Sequence, residues 1–443
     1  MRPVQVDLPS SGLVGKKLWM SLFVLLGTVN NCSGGVISSK NSVVLNRTRI
    51  TDQTIEFFNK SSHPLEVRKI KSETYIEKQQ NSCNRKIFIR EYTLEEIPAK
   101  IDPGISLGDL VISGGESPSG ISTYKTGVIA RIGKLLNMLR SGYIQRLDLE
   151  SFDMFFGLFP RLNRAKKFFN IGRGLTLNNV SPSFVNWLGN SYSFAKCKRT
   201  TFVLTLHSCP NIISLSCLDS LGFRTISKLE VTDMQQLQYI NCRLLRTRQV
   251  TRCLTLTNLR NTVVSIETRQ AIGGVGWNIL EVNVSLWKTI FSMHHDVYIE
   301  SVFLVMDSPE VTNIVDNSVS ALPSVCANCC FIKLPSNVVA MTLELVKSIL
   351  GFVCANFKNL CKVRVISFRG PLDKFIEFHK QLDPIYMPTL PMLTEFMIGR
   401  YRCRLYTPLY PLTTNVITIS YPGVPEYDGD ENENENEEAT TLL

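Results

Sequence analysis

A short phrase, apolar–any–apolar, returns along the chain at intervals near 28 residues. It starts at Leu147 (LDL), Leu175 (LTL), Leu204 (LTL), Leu229 (LEV), Leu254 (LTL) and Leu280 (LEV). Weaker copies start at Phe303 (FLV), Ile332 (IKL), Val363 (VRV) and Phe396 (FMI). The successive spacings are 28, 29, 25, 25, 26, 23, 29, 31 and 33. With 44 % of residues apolar, such a triplet arises by chance at roughly a fifth of positions, so the run of six at 25–29 carries the weight. Most copies also have an apolar residue three positions before and another three to six after. Ile144 and Phe152 flank the first copy, and Ile226 and Leu237 flank the fourth. Such alternation predicts a short strand with one buried face. A unit this small cannot bury that face alone and must stack on its neighbours. The expected fold class is therefore α/β, a solenoid of parallel strands with helical or irregular connections over residues 143–400.

Between the strands the apolar period lengthens to that of a helix. Ser181-Pro182 offers a serine N-cap with proline at the first helical position. Val128–Leu139 is amphipathic and ends just before the first copy. Longer helices are expected over residues 342–360 and 372–382. Residues 35–142 lack the repeat and hold the Gly/Ser/Pro-rich stretch 113–120, which marks an N-terminal cap or subdomain followed by a loop. Residues 401–425, rich in Tyr, Pro and Thr, suit an extended closing segment.

The unit Leu204-Thr-Leu206-His-Ser-Cys209-Pro-Asn-Ile212 resembles the L-x-L-x-x-N/C-x-L phrase of leucine-rich repeat proteins, of the secreted type, with cysteine in the ladder position. In that family the ladder Asn or Cys is buried and satisfies the turn backbone. Here the equivalent positions elsewhere are Phe152, Val180, Met234 and Leu259, which cannot do so. Their turn amides need other partners, or the units are irregular. The resemblance implies a protein-binding surface and does not indicate a ligand.

Charge divides the chain. The formal net charge is +10, yet the segment from Glu426 onward contains eight acidic residues and no basic one. Residues 426–443 are expected to be a disordered acidic tail. Basic clusters (Arg161, Arg164, Lys166, Lys167 and Arg173; Lys196, Lys198 and Arg199; Arg243, Arg246, Arg248 and Arg252) fall between the expected strands. Residues between the paired apolar positions are Asp148, Thr176, Thr205, Glu230, Thr255 and Glu281, with no lysine or arginine. These six, with His207 beside them, are the expected strand-face contacts. A polar and slightly acidic face argues against nucleic acid there, because phosphate-tracking surfaces need Lys and Arg.

Lys16-Lys17 followed by the apolar run Leu18–Val29 and then small and polar residues has the layout of a signal peptide, assigned to residues 1–34. Twelve apolar residues are too few to cross a bilayer core of about 30 Å, and no other segment reads as a transmembrane span. A secreted location follows. It would permit some of the thirteen cysteines to pair and would permit glycosylation at Asn46, Asn59, Asn179 and Asn283; a further triplet begins at Asn31, near the cleavage region.

Catalytic and metal signatures are weak. His294-His295-Asp296 points its neighbours apart on any regular backbone. Cys326-Ala-Asn-Cys329-Cys330 has no second pair at zinc spacing, since Cys354 and Cys361 are separated by six residues. Gly273-Gly-Val-Gly276 precedes a strand rather than linking a strand to a helix, and Gly114–Gly120 lacks the lysine of a phosphate loop. No cofactor is expected. The expected function is a non-catalytic exported protein whose repeat surface binds another protein. An intracellular leucine-rich-repeat adaptor of the substrate-recognition type and an enzyme of another fold are the alternatives.

Overall fold

The computed structural model describes residues 47–65, 67–70, 73–77, 85–102, 105–115, 127–152, 166–194, 201–259, 262–291, 297–306, 325–335, 343–366, 385–388, 393, 395–398, 401–406 and 414–418. All belong to the unit Asn46–Leu443. The signal-like segment, Asn31, Asn46, the expected helix 372–382 and the acidic tail lie outside the described residues.

The protein is α/β, built on one large, mainly parallel sheet. Twelve successive strands run parallel: Arg85–Phe88, Ser106–Ser113, Tyr143–Phe152, Ile171–Val180, Val203–His207, Ile226–Thr232, Val250–Thr257, Trp277–Asn283, Tyr298–Val305, Val325–Lys333, Lys362–Ile366 and Glu395–Ile398. Each pairs with the next, as a chain of stacked units requires. The strand Tyr401–Tyr406 then turns antiparallel, and Thr414–Thr418 and Ile385–Pro388 continue the sheet beyond it. A separate three-stranded antiparallel sheet comprises Arg47–Ile50, Glu73–Glu77 and Val67–Ile70.

The register explains the recurring phrase. Leu110, Leu147, Leu175, Leu204, Leu229, Leu254, Leu280, Val302, Cys330, Val363 and Phe396 stand opposite one another on successive strands. None of them is more than 1 % exposed. Two positions on, a second column from Ile112 and Leu149 to Val365 and Ile398 is equally buried. Fully burying one such aliphatic side chain contributes about 1.5–3 kcal/mol, and the cover comes from neighbouring strands and the connections packed on them. The apolar residue three before, such as Ile144 or Ile226, is also buried. Gln145 and Arg146 lie between Ile144 and the column, Lys228 and the buried Ser227 between Ile226 and the column, and the register shifts at both places.

Two weaker copies of the phrase are out of phase. The buried pair is Val302/Leu304 rather than one starting at Phe303, and Cys330/Ile332 rather than one starting at Ile332. Val302-Phe-Leu-Val305 and Cys330-Phe-Ile332 are apolar throughout, so alternation gives them no phase. The sheet also begins before residue 143, within the segment read as a cap. Its second strand carries the same phrase at Leu110, 37 residues ahead of Leu147, an interval stretched by the helix Val128–Leu139.

Helical connections cover the buried side. The helix Pro182–Ser191 starts as expected, with the Ser181 hydroxyl accepting the Phe184 N–H at 3.2 Å. It packs on the short helix Leu215–Leu221, followed side by side by Arg243–Arg246, Ile266–Gly273 and Val284–Ile290. The longer helix Leu343–Asn356 falls within the expected range. Its Asn356 accepts from the buried Trp287 indole at 3.1 Å and donates to the Phe352 carbonyl at 2.8 Å, so both buried polar groups are satisfied.

The turn after each strand resolves the ladder question. Ser151, Asn179, Ser208, Asp233 and Asn258 each lie four residues after the column leucine, and all have left-handed φ between 49° and 60°. Short polar residues tolerate this conformation where β-branched ones do not. The following side chain (Phe152, Val180, Cys209, Met234 or Leu259) is buried in the core. Main-chain bonds to the next strand satisfy the turn: Ser208 N–H donates to the Thr232 carbonyl at 3.1 Å and Asp233 N–H to the Thr257 carbonyl at 3.2 Å. Side chains join in at Cys209 and, against the expectation for that position, at Met234, whose Sδ accepts the Cys209 N–H at 3.3 Å; Cys209 does more. Its Sγ accepts the Val180 N–H at 3.4 Å and donates to the Leu177 carbonyl at 3.5 Å. Burial pushes this thiol up to about 11.

Candidate interaction face on the sheet

Residues between the two core columns point to the opposite side of the sheet and form a third column. Its first part is Asp148, Thr176, Thr205, Glu230, Thr255 and Glu281, all in register. These expected contacts therefore share one face, and hydroxyl–carboxylate bonds link neighbours. Thr205 donates to Glu230 at 2.7 Å, and Thr255, itself buried, donates to Glu281 at 3.4 Å. Burial raises the Glu230 carboxyl, but bonds from Lys228 and Thr205 outweigh it and hold the group below its ordinary range. Asp148 behaves oppositely. Burial raises its carboxyl, and the bond from Thr176 offsets this only in part.

Beyond Glu281 the same column changes character to Phe303, Phe331, Arg364 and Met397. The Phe303 and Phe331 rings stack with centroids 4.5 Å apart and an interplanar angle of 10°. Both are partly exposed. Arg364 donates through Nη2 to Met397 Sδ at 3.0 Å and to Glu395 Oε1 at 3.4 Å, while Lys362 pairs with Glu395 at 3.0 Å. Bonding to Lys362 in turn keeps the Glu395 carboxyl below its usual range. The sequence reading missed this part of the site because the phase of the Phe303 and Phe331 strands was not visible in it.

The face is also less acidic than expected. Arg364 stands in the column itself, and Arg146, Lys228 and Lys362 occupy the outward position just before the core leucine or its equivalent. Several of these cations are paired, Lys228 with Glu230 and Arg146 with Asp109 at 3.6 Å. Cations thus lie on the strand face as well as between strands. Of the clusters read as lying between strands, Arg173 and Arg252 sit on strands, and Arg246 approaches Asp219 at 3.9 Å. Arg161, Arg164, Lys196, Lys198 and Arg199 lie outside the described residues.

His207 comes closest to a catalytic arrangement. Its Nδ1 lies 2.8 Å from Thr232 Oγ1 and 3.2 Å from Asp233 Oδ2. A nucleophile–base–carboxylate relay needs the two ring nitrogens to serve different partners. Here one nitrogen serves both, and Asp233 is also held by Asn258 Nδ2 at 2.7 Å. The group reads as a surface network over consecutive turns.

Cys330 belongs to the core column, while Cys326 and Cys329 are partly exposed on the same strand. Among the described residues no three His, Cys, Asp or Glu side chains converge as metal ligands. Cys209, Cys217, Cys242, Cys253, Cys326, Cys329, Cys330 and Cys354 carry free thiols. His294 and His295 lie outside the described residues. Of the glycosylation candidates, Asn59 is exposed at a helix end, Asn179 occupies a left-handed turn, and Asn283 is only 2 % exposed. No helix among the described residues is long and apolar enough to cross a membrane.

No family model, no curated protein and no solved structure matches the chain.

Proposed function

We propose that the chain is a solenoid of the leucine-rich repeat type that binds another protein on the outward face of its strands, without catalysis. The carrying observation is the stacked, partly exposed Phe303–Phe331 pair beside Arg364 and Met397. Single exposed apolar residues are ordinary on soluble proteins. Aromatic rings and an arginine fixed side by side on paired strands are pre-organised, and these residue types dominate binding hot spots. The repeat assignment draws support from the in-register leucine column and from Cys209, whose thiol bonds the backbone of the preceding unit.

The location is the secretory pathway on this reading, resting on the Lys16-Lys17 and Leu18–Val29 pattern. A second reading, an intracellular adaptor, is favoured by one observation: among the described residues eight cysteines carry free thiols, which suits a reducing compartment. Mass spectrometry of the mature N-terminus separates the two. Cleavage near residue 34 supports export, and a chain starting at residue 1 or 2 supports the adaptor. The binding role is tested by comparing proteins captured by the wild type, by F303S/F331S, and by a control altered elsewhere at the exposed Ile213 and Tyr239. A partner lost only from the first variant supports the proposal, whereas identical capture by all three opposes it.

A further inference from the structure

The described chain ends at Thr418, on a strand parallel in direction to the main sheet, because two antiparallel pairings separate it from Glu395–Ile398. By register Thr418, opposite Arg404, stands level with Glu395 and Lys362, four residues short of the level of Ile366 and its partner Lys333. Three strand spacings, about 14 Å, separate it from the Lys362–Ile366 strand. Residues 419–427 can reach up to about 30 Å. Eight acidic residues and no basic one follow from Glu426, then Leu442-Leu443.

The surface within that reach has a matching order. Moving inward from Thr418, the strands first present Lys362 and Arg364, paired with Glu395, and then Phe331 with Lys333 and the stacked Phe303. Lys333 and Lys362 are exposed. Three cations against Glu395 leave an excess of two. An acidic segment ending in two leucines thus meets cations first and aromatic rings second. We infer that residues 426–443 dock in the same chain on this cationic and aromatic end of the sheet. Tethering keeps the tail at high local concentration, so weak contacts suffice. Any partner using Phe303 and Phe331 competes with it.

The test needs no partner, so its outcome is separable from that of the binding role. An equal mixture of unlabelled and ¹⁵N-labelled full-length chain is treated with a carbodiimide, which couples carboxylates to contacting lysines, and the peptides are mapped by mass spectrometry. The expected result is coupling of Asp428–Glu438 to Lys333 and Lys362, within one isotope class, falling several-fold at high salt as the charges are screened. Three results would each overturn the inference: no tail coupling to these lysines, equal coupling to distant ones such as Lys60, Lys134 and Lys288, or pairs of mixed isotope, which place the tail on a second copy.

Discussion

The strands from Leu147 to Leu254 and those from Val302 to Phe396 continue one buried column, yet the chain returns between them in different ways. In the first region a left-handed Ser, Asn or Asp ends each strand, and the column recurs every 25–29 residues. In the second, the same turn position holds Met306 or Leu334, both buried, and the column recurs after 28 and then 33 residues. Met306 N–H still donates to the Lys333 carbonyl at 3.1 Å and Leu334 N–H to the Ile366 carbonyl at 3.4 Å. These are the same main-chain bonds that Ser208 and Asp233 make. Sheet register therefore preserves the column, while the connection sets the interval. The outward face changes with the connection, from threonines and carboxylates to stacked aromatics and arginine.

The largest effects are expected in the shared column. Leu204→Ala should lower stability by about 2–5 kcal/mol, as removing fully buried leucines does. If the regions form one sheet, Leu204→Ala and Val363→Ala should each move a single melting transition; separate transitions would divide the molecule. Next comes the turn. Asp233→Val places a β-branched residue at φ 57° and should cost about 1–3 kcal/mol, whereas Asp233→Gly should stay within about 0.5. Met306→Gly, at the equivalent position of the second region, should instead destabilise by removing a buried side chain. Denaturant midpoints of these three variants would show whether the turns differ as described.

Asp148→Asn should have a smaller effect. Because burial raises this carboxyl, the folded chain keeps the proton to higher pH than the unfolded chain, and stability falls as pH climbs from about 4 through the raised value. At neutral pH the substitution should raise the melting temperature by about 1–3 °C, and the gain should vanish in acid. A gain independent of pH would assign it to packing. Smallest in stability should be F303S/F331S, within about 1 kcal/mol, since both rings are partly exposed; a larger loss would make the pair structural.

The strand column, the helix over Val128–Leu139 and the Ser181 cap were all legible in sequence, because each rests on local periodicity or a local hydrogen bond. Leu110 was hidden by a 37-residue interval, although its LVI phrase is as good as any other. The phase of the Phe303 and Phe331 strands was hidden for a different reason: apolar residues on both faces erase alternation. The missed part of the candidate site is for that reason the part with an apolar outward face. Arg364 could not be placed beside Phe331 without the register that joins residues so far apart. The left-handed turns left a faint trace, a recurring Ser, Asn or Asp four residues after the leucine, which only the dihedral angles explain.

Amide hydrogen exchange at the turn positions tests the central claim, one continuous in-register ladder through both regions, most directly. The amides of Ser208, Asp233, Met306 and Leu334 should all exchange slowly, with similar protection, because each donates to the next strand. Protection at Ser208 and Asp233 with free exchange at Met306 and Leu334 would show that the ladder stops before residue 306 and contradict the account.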